Sequence, residues 1–438
     1  MPPRPPSASI LALEADRQVR ELWRSLAPER WPVPPGAFPA DAVLVGGAVR
    51  DGLLGRLPEQ PDLDIVVDGD AIALAGDLAR TRAGTCVVLD RQRCMARLVV
   101  GGWTFDLARR IGGSLEADLA RRDFTVNAMA LRWPSAEVEG AGGLIDLHGG
   151  LEDLSCGRVT ALAESNLLED PLRLMRGIRL ACELGFGITP ETWRWIRLHR
   201  ARIADVAGER VLAELERMAA APGGHRGLHQ VVEVGLVEPW QGGEDPLERD
   251  LTLQTLRLLS QERARSLGLN PGEMAQALPM ARLAAVLDEG AVKRLSGSRL
   301  LRQRCRRLRR WWARLRRGCG ATLRSLDSLE EDGRLDLQIE LEPDLPALLL
   351  LLEDRPQAVT ALRRWRNPDD PLFHPRPPLD GHTLQKRLGL GPGPEVGRLL
   401  RFLTRERAFD RLSGDGTPSP LLLEQAAQWI HREGVRHG

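Results

Sequence analysis

A double glycine near the start of the chain has the residue types of an anion site. Gly46 and Gly47 follow a short apolar run, Val43–Val45, and precede a helical pattern. A strand, a turn of residues without a Cβ and a helix start leave backbone N–H groups directed at one point, where an anion can bind. Arg50, in the first turn of the predicted helix, adds a positive charge. Plain turn chemistry also explains a double glycine, so this element alone does not decide the function.

Acidic residues beside the next apolar runs could hold a divalent cation. Asp62 and Asp64 precede the run Ile65–Val67, and residues two apart in an extended chain share one face. A third acid, Asp106, lies at the predicted end of the strand Trp103–Leu107. If the two strands are neighbours, the three carboxylates can hold two Mg²⁺ ions between an attacking hydroxyl, an α-phosphate and a leaving pyrophosphate.

Chance spacing and a solvated strand end are the alternatives for these acids, because the chain has 60 acidic residues. The combination is more informative than its parts. An anion cradle followed by a carboxylate pair, both at strand ends, favours metal-dependent nucleotidyl transfer.

The segment Arg121–Ala130 places polar side chains in apolar surroundings. Arg122 and Asp123 are followed by Asn127 within a hydrophobic run. Buried polar groups need partners, and a ribose or a triphosphate would supply them. An internal Arg–Asp pair that ties a sheet together explains this segment equally well by itself.

A predicted helix start at Asp170 carries an unusual set of arginines. Asp170 suits an N-cap, and Arg173, Arg176 and Arg179 recur every three residues after it. A capped helix with local ion pairs explains the aspartate. It does not explain three arginines in the first turns, where the helix dipole disfavours positive charge. These arginines therefore indicate an anionic ligand.

The same helix start could select a base. The Asp170 carboxylate can accept a hydrogen bond from an exocyclic amine, while Arg173 donates to a ring nitrogen or a carbonyl. Cytosine and adenine fit this pair, whereas uracil and guanine present a carbonyl where the amine is needed. The pair could thus choose C and A without a template.

The elements that must position these residues change character along the chain. Up to about Asp146, apolar runs alternate with helical patterns, which predicts a small mixed α/β domain. Strands are predicted at 43–45, 65–67, 86–89, 96–100, 103–107 and 126–131, and helices at 48–54 and 72–81. From residue 151 onward helical spacing dominates, beginning with 172–184, 190–199, 207–218 and 227–234. The Pro-rich break Asn367–Pro378 predicts a separate helical unit after it.

Composition predicts a soluble globular protein of several domains. The chain has 438 residues, of which 43% are hydrophobic and 28% charged, and we expect no membrane span. The first residues, Met1–Ser7, lack the apolar segment of a secretory signal and predict a short disordered lead-in. Six cysteines without a Cys-x-x-Cys pair favour free thiols in a reducing cytoplasm over a zinc site.

Charge is unevenly distributed, although the net charge is only +1. The stretch Arg299–Arg317 contains ten arginines and no acidic residue. Such a helix, with aromatic side chains beside the arginines, suits binding to RNA phosphates. The predicted RNA contacts are Arg306, Arg309, Arg310, Trp311 and Trp312. A solvated basic face is the alternative.

Taken in chain order, the motifs resemble those of the class II tRNA nucleotidyltransferase and bacterial poly(A) polymerase family. The resemblance covers about Val43–Met218, and beyond it Leu379–Gly393 is similar to the family's tail domain. The five matching motifs are Gly46–Asp51 with Asp62 and Asp64, Arg121–Ala128, Asp146 with Gly149 and Gly150, Glu169–Arg173, and Ala207–Leu215.

The resemblance implies an architecture and a set of roles. It implies an α/β nucleotidyltransferase head with a polymerase-beta-like mixed sheet (1–147), then an all-α neck (148–225), body (226–370) and tail (371–438). Asp62 and Asp64 would bind Mg²⁺, and Asp106 would help to activate the primer hydroxyl. The nucleotide would be held by Gly46, Gly47, Arg50, Arg122, Asp123, Asn127, Asp170, Arg173, Arg176 and Arg179. The substrates would be the 3′ end of the tRNA acceptor arm with CTP or ATP, and pyrophosphate would be released.

One departure from the family concerns the product. Members that add a whole CCA end usually carry a long polar loop between the third carboxylate and the Arg-Arg-Asp motif. Here little more than Ile111–Ala120 fills that interval. This is similar to the subgroup that stops after two cytidines, so we expect CC addition. A complete CCA-adding enzyme, an A-adding enzyme, a poly(A) polymerase and a non-catalytic RNA-binding protein are the alternatives.

Overall fold

The structure is a computed structural model that describes residues 10–133, 143–243, 246–316, 326, 329–352, 355–412 and 419–433. The chain divides into two compact units, one of residues 1–214 with 234–239 and one of residues 215–233 with 240–438. The predicted lead-in Met1–Ser7 and the last arginine of the basic stretch, Arg317, lie outside the described residues. The finer division into head, neck, body and tail stays a prediction.

A seven-stranded mixed sheet forms the centre of the first unit, which confirms the α/β prediction for the N-terminal part. Its strands are β1 (Val43–Val45), β2 (Leu63–Val67), β3 (Thr85–Asp90), β4 (Met95–Val100), β5 (Trp103–Arg109), β6 (Met129–Arg132) and β7 (Leu144–Asp146). They lie in the order β3-β4-β5-β2-β1-β6-β7. The β2–β5 pair is parallel, whereas the other neighbours in this sheet run antiparallel. A separate parallel pair joins β8 (Arg158–Val159) and β9 (Gly187–Ile188).

Helices surround this sheet and continue after it. In the first part of the chain they are α1 (Ala15–Leu26), α2 (Gly47–Leu53), α3 (Ala71–Thr81), α4 (Leu115–Ala120), α5 (Gly150–Cys156), α6 (Glu164–Glu169), α7 (Leu172–Leu184), α8 (Pro190–Leu198) and α9 (Gly208–Ala220). On one face of the sheet, Leu115 and Leu119 of α4 pack against valines of β1 and β2. On the other face, Trp31 and Phe38 contact Phe105 of β5.

One predicted strand begins later than its apolar pattern indicates. The strand predicted at 126–131 is preceded by a 3₁₀ turn, Thr125–Asn127, and starts only at Met129. The Thr125 N–H donates to the carbonyl of Thr160 at 2.9 Å, and the Asn127 N–H to that of Phe124 at 2.9 Å. These two backbone N–H groups therefore have their hydrogen-bond acceptors outside the seven-stranded sheet, which leaves no need for residues 125–127 to pair as a strand.

In the second unit, all regular secondary structure of the described residues is helical, as predicted. Its helices are α10 (Gly224–Val234, whose last residue belongs to the first unit), α11 (Pro246–Leu258), α12 (Gln261–Ser266), α13 (Pro271–Val286), α14 (Glu289–Arg294), α15 (Arg299–Arg316), α16 (Glu331–Leu341), α17 (Leu345–Leu351), α18 (Arg355–Trp365), α19 (Gly381–Leu388), α20 (Pro394–Ala408) and α21 (Pro420–Arg432). The last three share a hydrophobic cluster centred on Leu384, Leu399 and Leu422. None of the described helices combines the length and the apolar character needed to cross a membrane.

Candidate active site

Three acidic residues meet on neighbouring strands of the first unit. Asp64 of β2 lies directly opposite Asp106 of β5 in the parallel pair, so the two side chains share one face of the sheet. Asp62 stands two residues before Asp64, just outside the strand. Asp106 lies inside its strand, which continues to Arg109. The prediction that it ends the strand is wrong, because Ala108 and Arg109 still pair with β2.

The electrostatics of Asp64 reflect this gathering of charge. Burial, together with the nearby carboxylates of Asp106 and Asp62, raises the pKa of Asp64 from its ordinary 3.8 to about 6, although Arg122 and Arg176 oppose the rise. Like charges brought together without a cation disfavour ionisation. Burial is the largest cause of the raised pKa of Asp64, and the charges of Asp106 and Asp62 add to it.

The double glycine brings the backbone up to this acidic row. Gly46 has φ +75°, a conformation that favours glycine. A Cβ on Gly46 would lie 3.1 Å from Oδ2 of Asp64 and 3.4 Å from Nη1 of Arg122. Gly46 thus fits between a carboxylate and a guanidinium that a larger residue would push apart. The following helix, α2, starts at Gly47, one residue earlier than predicted.

A chain of hydrogen bonds links two of the sequence motifs to helix α7. Arg50 donates to Asp51 from Nε and Nη2 at 2.8 Å each, and from Nη1 to the amide oxygen of Asn127 at 2.6 Å. The amide nitrogen of Asn127 donates to Asp123 at 3.1 Å. Asp123 also accepts from Nε of Arg176 on α7 at 2.9 Å. The internal pairing that the sequence left open for the Arg-Arg-Asp segment is therefore present.

This pairing controls the charge of Asp123. Its side chain is buried, which by itself would raise its pKa, but Arg176 and the amide of Asn127 hold the pKa of Asp123 below its usual range. Asp123 is thus an anchor for Arg176. The pair fixes the arginine of α7 against the sheet segment.

An open cavity of about 650 Å³ lies against the same face of the sheet. Its floor includes Val66 and Ala108, which follow Asp64 and Asp106 by two residues on the same strands and so on the same face. Seven arginines and four acidic residues line it: Arg93, Arg109, Arg110, Arg121, Arg122, Arg173, Arg176, Asp118, Asp123, Glu169 and Asp170. A cavity of this size and positive balance suits a polyanionic small molecule.

The predicted base-reading pair lines this cavity. The Asp170 carboxylate accepts from Nη2 of Arg210 at 2.9 Å and from the backbone N–H of Leu172 at 3.3 Å. Nη1 of Arg173 donates to the carbonyl oxygen of Asn166 at 2.9 Å. Burial lowers the pKa of Arg173. Both side chains are thus oriented by neighbours within the first unit.

Comparison with known proteins identifies the family of the chain. The family model described as "Poly A polymerase head domain" matches residues 42–110 and 107–160, and the one described as "Probable RNA and SrmB- binding site of polymerase A" matches residues 185–241. A CC-adding tRNA nucleotidyltransferase from Synechocystis is 34% identical over 86% of this chain and 92% of its own. The chain belongs to the tRNA nucleotidyltransferase and poly(A) polymerase family.

A second sequence relative and a solved structure are also similar to this chain. An A-adding tRNA nucleotidyltransferase from Deinococcus radiodurans is 31% identical over 89% of this chain and 95% of its own. The solved structure of a Thermotoga maritima CCA-adding enzyme complexed with tRNA matches with a TM-score of 0.62 and 22% identity, covering 89% of this chain and 91% of that one. At 22% identity, the similarity to the solved structure concerns the fold alone.

Arg179, which the sequence predicts to bind the nucleotide, has internal partners instead. Its Nη1 donates to Glu183 at 2.5 Å and its Nε to Glu214 at 2.5 Å. Burial lowers the pKa of Arg179, but these two acids raise it by more. Arg173 and Arg176 line the cavity, whereas Arg179 is absent from its lining. The structure therefore brings two arginines of this helical row to the cavity and pairs the third internally.

The interpretation of Trp311 and Trp312 as RNA-binding faces is wrong. Both are buried, and Nε1 of Trp311 donates to Glu340 at 2.8 Å. The signal was present in the sequence, because Leu301, Cys305, Leu308, Trp312 and Leu315 follow the spacing of one buried helix face. The two tryptophans belong to the core of the second unit.

The arginines predicted beside them are also engaged. Arg306 lies 3.6 Å from Glu289, and Arg310 is paired with Glu340. Nη1 of Arg309 donates to the carbonyl oxygens of Ala284 and Ala285 at 3.1 Å each. Arg306, Arg309 and Arg310 therefore each have a partner within the protein. Binding of this helix to RNA stays a prediction.

Sequence reasoning missed several residues that hold the site. Arg97 pairs with Asp106, Arg210 with Asp170, and Asp118 with Arg122 at 3.2 Å. The amide of Asn166 donates to the carbonyl oxygens of Ala120 and Arg122. A period-two pattern on β4 could have indicated Arg97, and the four-residue spacing could have indicated the pair of Asp118 and Arg122. The contacts of Arg210 and Asn166 join segments distant in sequence, and no local signal predicts them.

The raised pKa of Asp64 has a testable effect on stability. An Asp whose folded pKa is 6 rather than 3.8 destabilises the fold when ionised, because ionisation is easier in the unfolded chain. The resulting loss in the free energy of unfolding is small below pH 4, grows between pH 4 and pH 6, and reaches its full value above pH 6. Asp64→Asn is expected to raise the free energy of unfolding of the metal-free protein by about 1–3 kcal/mol at pH 8.

Urea denaturation in EDTA from pH 4.5 to pH 8 measures this gain. The gain at pH 8 should exceed that at pH 4.5 by about threefold, as the two pKa values require. Asp77→Asn, at an exposed surface pair on α3, is the matched control and should show little pH dependence. A gain from Asp64→Asn that is equal at both pH values would contradict the electrostatic origin.

Proposed function

We propose that this chain is a template-independent tRNA nucleotidyltransferase that adds cytidines from CTP to the tRNA 3′ end and releases pyrophosphate. The observation that carries the proposal is the pairing of Asp64 with Asp106 on one face of the sheet. Two residues further along the same strands, Val66 and Ala108 line an arginine-rich cavity of about 650 Å³. Carboxylates bind the cation and arginines bind the phosphates in such a transfer. The names of the relatives at 31–34% identity support the choice of tRNA as substrate.

The donor set fits a magnesium ion. Mg²⁺ is usually bound by one or two carboxylates together with substrate phosphates and waters, and Asp62 and Asp64 supply such a pair. Within the described ranges, no group of three or more acidic, histidine or cysteine side chains is placed to hold a metal ion. An incomplete protein site, completed by the triphosphate, agrees with that finding. When bound, the cation would stabilise negative charge on the α-phosphate and the leaving group.

The protein's own residues would orient the reactants. The 3′-hydroxyl oxygen of the tRNA forms a bond to the α-phosphorus of CTP, and the bond from that phosphorus to the bridging oxygen breaks as pyrophosphate leaves. Asp106, on the strand beside Asp64, would accept the hydroxyl proton. Arg122 would hold the triphosphate: its Nε is buried and has no acceptor in the described part of the chain. A phosphate oxygen would satisfy this donor.

Base choice would be set at the start of α7. Asp170 and Arg173 face the cavity, and cytosine presents an amine and an acceptor that match a carboxylate and a guanidinium. Arg210, which donates to Asp170 at 2.9 Å, would keep that carboxylate oriented towards the base. Uracil and guanine would leave both groups unpaired.

The connection between the third carboxylate and the Arg-Arg-Asp motif supports CC addition. It forms a short helix, α4, whose Leu115 and Leu119 are buried against the sheet. Asp118 accepts from the Ile111 N–H at 3.1 Å and from Arg122 at 3.2 Å. A connection held in this way has little freedom to move the base-reading residues from a position for C to one for A.

We expect the main product to end in two added cytidines. Full-length protein, Mg²⁺, CTP and ATP are incubated with a tRNA that ends at the discriminator base, and the product ends are sequenced. Two cytidines and little or no adenosine are expected, because a purine needs a shift that the packed connection does not provide. A dominant CCA end would show that the short connection does not limit specificity.

Two further substrates separate the alternatives. A tRNA already ending in CC should remain unextended with ATP, whereas an A-adding enzyme would extend it by one residue. A generic RNA with ATP would receive long tails from a poly(A) polymerase and none from this protein. Absence of incorporation on every substrate would favour a non-catalytic RNA-binding protein.

We propose the cytoplasm as the compartment. The proposed substrate is tRNA, and in the described part of the chain Cys86, Cys94, Cys156, Cys182 and Cys305 form no disulfide, as expected in a reducing environment.

A further inference from the structure

The third carboxylate of the acidic row already has a cationic partner. Arg97 lies opposite Asp106 in the antiparallel β4–β5 pair. Its Nε donates to Oδ1 and its Nη2 to Oδ2, both at 2.8 Å. This bidentate fork engages both carboxylate oxygens. It therefore competes with any cation or hydroxyl that would use Asp106.

Arg97 also lies in the field of the whole acidic row. The hydrogen bond to Asp106 raises the pKa of Arg97 most, and the charges of Asp106, Asp62 and Asp64 raise it further. A divalent cation that approaches the same acids meets this positive charge. Repulsion between a double and a single charge a few ångströms apart near a protein surface is enough to weaken binding about tenfold.

The surroundings of Arg97 allow it to leave. Its side chain is 44% exposed, whereas that of Asp106 is 19% exposed. Its cross-strand neighbour on β3 is Val87, and both Val87 and the nearby Val99 are exposed apolar residues. In the part of the chain that the structure describes, Asp106 is the one carboxylate in ion-pair distance of Arg97. Once displaced, the guanidinium would turn to solvent.

We propose that Arg97 is a positioning residue that pairs with Asp106 and whose positive charge opposes the divalent cation at the neighbouring Asp62 and Asp64. It holds the carboxylate in the metal-free protein and releases it when the cation binds at Asp62 and Asp64. The inference rests on the proposed metal site and extends it to a residue of the neighbouring strand that sets how readily the site loads.

Direct titration of the full-length protein with Mn²⁺, followed by electron paramagnetic resonance without nucleotide or RNA, tests this proposal. Arg97→Met is expected to bind Mn²⁺ about tenfold more tightly than the wild type. Arg97→Lys, which keeps a charge but loses the fork, should lie between them. Arg80→Met, at an exposed pair on α3, is the matched control and should bind as the wild type does.

A purely structural role predicts the opposite sign, because loss of a structural partner would loosen the site. Unchanged or weaker Mn²⁺ binding by Arg97→Met would therefore overturn the proposal. If Arg97→Met fails to fold, the affinity of Arg97→Lys for Mn²⁺ decides: tighter binding than in the wild type supports the proposal, and unchanged or weaker binding overturns it. The same titration of Asp64→Asn shows whether the bound Mn²⁺ occupies the proposed metal site. If this variant binds Mn²⁺ as tightly as the wild type, the proposed metal site is wrong. Binding that depends on Asp64 but not on residue 97 would overturn only the present inference.

Discussion

Replacing Asp64 by alanine is expected to lower the rate of cytidine addition at least about a thousandfold while the protein stays folded, and Asp62→Ala should act similarly. Loss of a metal carboxylate removes stabilisation of transition-state charge of several kcal/mol, and each ~1.4 kcal/mol is a factor of ten in rate. Since Asp64 lies in a row of like charges, its removal should not unfold the chain.

Single-turnover addition to a tRNA lacking its 3′ end measures this loss, and circular dichroism checks the fold. Asp77→Ala, which removes an exposed acid on α3, is the control and should retain the wild-type rate. Near-normal turnover by either Asp62→Ala or Asp64→Ala would remove that residue from the proposed metal site.

The second large effect is expected on base choice. Asp170→Ala and Arg173→Ala should each reduce the preference for CTP over UTP by about 10- to 100-fold, since one base contact contributes on the order of 1–3 kcal/mol of discrimination. Triphosphate binding should change less, because Arg122 and Arg176 lie elsewhere in the cavity. Arg210→Ala is expected to give a weaker form of the same loss, because Arg210 orients Asp170.

The ratio of kcat/KM values for CTP and UTP on one tRNA measures discrimination, and KM for CTP tracks binding. Arg194→Ala, which removes an exposed arginine of α8 paired with Glu191, is the control and should leave the ratio unchanged. If Asp170→Ala and Arg173→Ala still exclude UTP and GTP as the wild type does, base reading lies elsewhere and this helix start is only a capped ion pair.

The local pattern of residues was sufficient for most elements of the first unit. Val43–Val45 is a strand as predicted, and α7 spans Leu172–Leu184 as predicted, because apolar spacing and flanking glycines act over a few residues. The 3₁₀ turn at Thr125–Asn127 was not predictable in this way. It is held by Thr160, more than thirty positions further along the chain.

The same distinction applies to the site. Asp62 and Asp64 share a face because of their spacing alone, but only the β2–β5 pairing brings Asp106 opposite Asp64. Likewise, Arg173, Arg176 and Arg179 have equivalent spacing, yet Glu183 and Glu214 engage only the third of them.

The sequence by itself determined which residues can bind a cation, a phosphate or a base, because charge and hydrogen-bonding capacity belong to the side chain. Only the tertiary structure decided which of them are available. Trp311 and Trp312 became core residues, and Arg97 became the partner of Asp106. Burial and long-range pairing depend on which elements pack together. The residue type is the same whether a guanidinium or an indole binds a ligand or makes a contact within the protein, so the sequence alone does not distinguish the two.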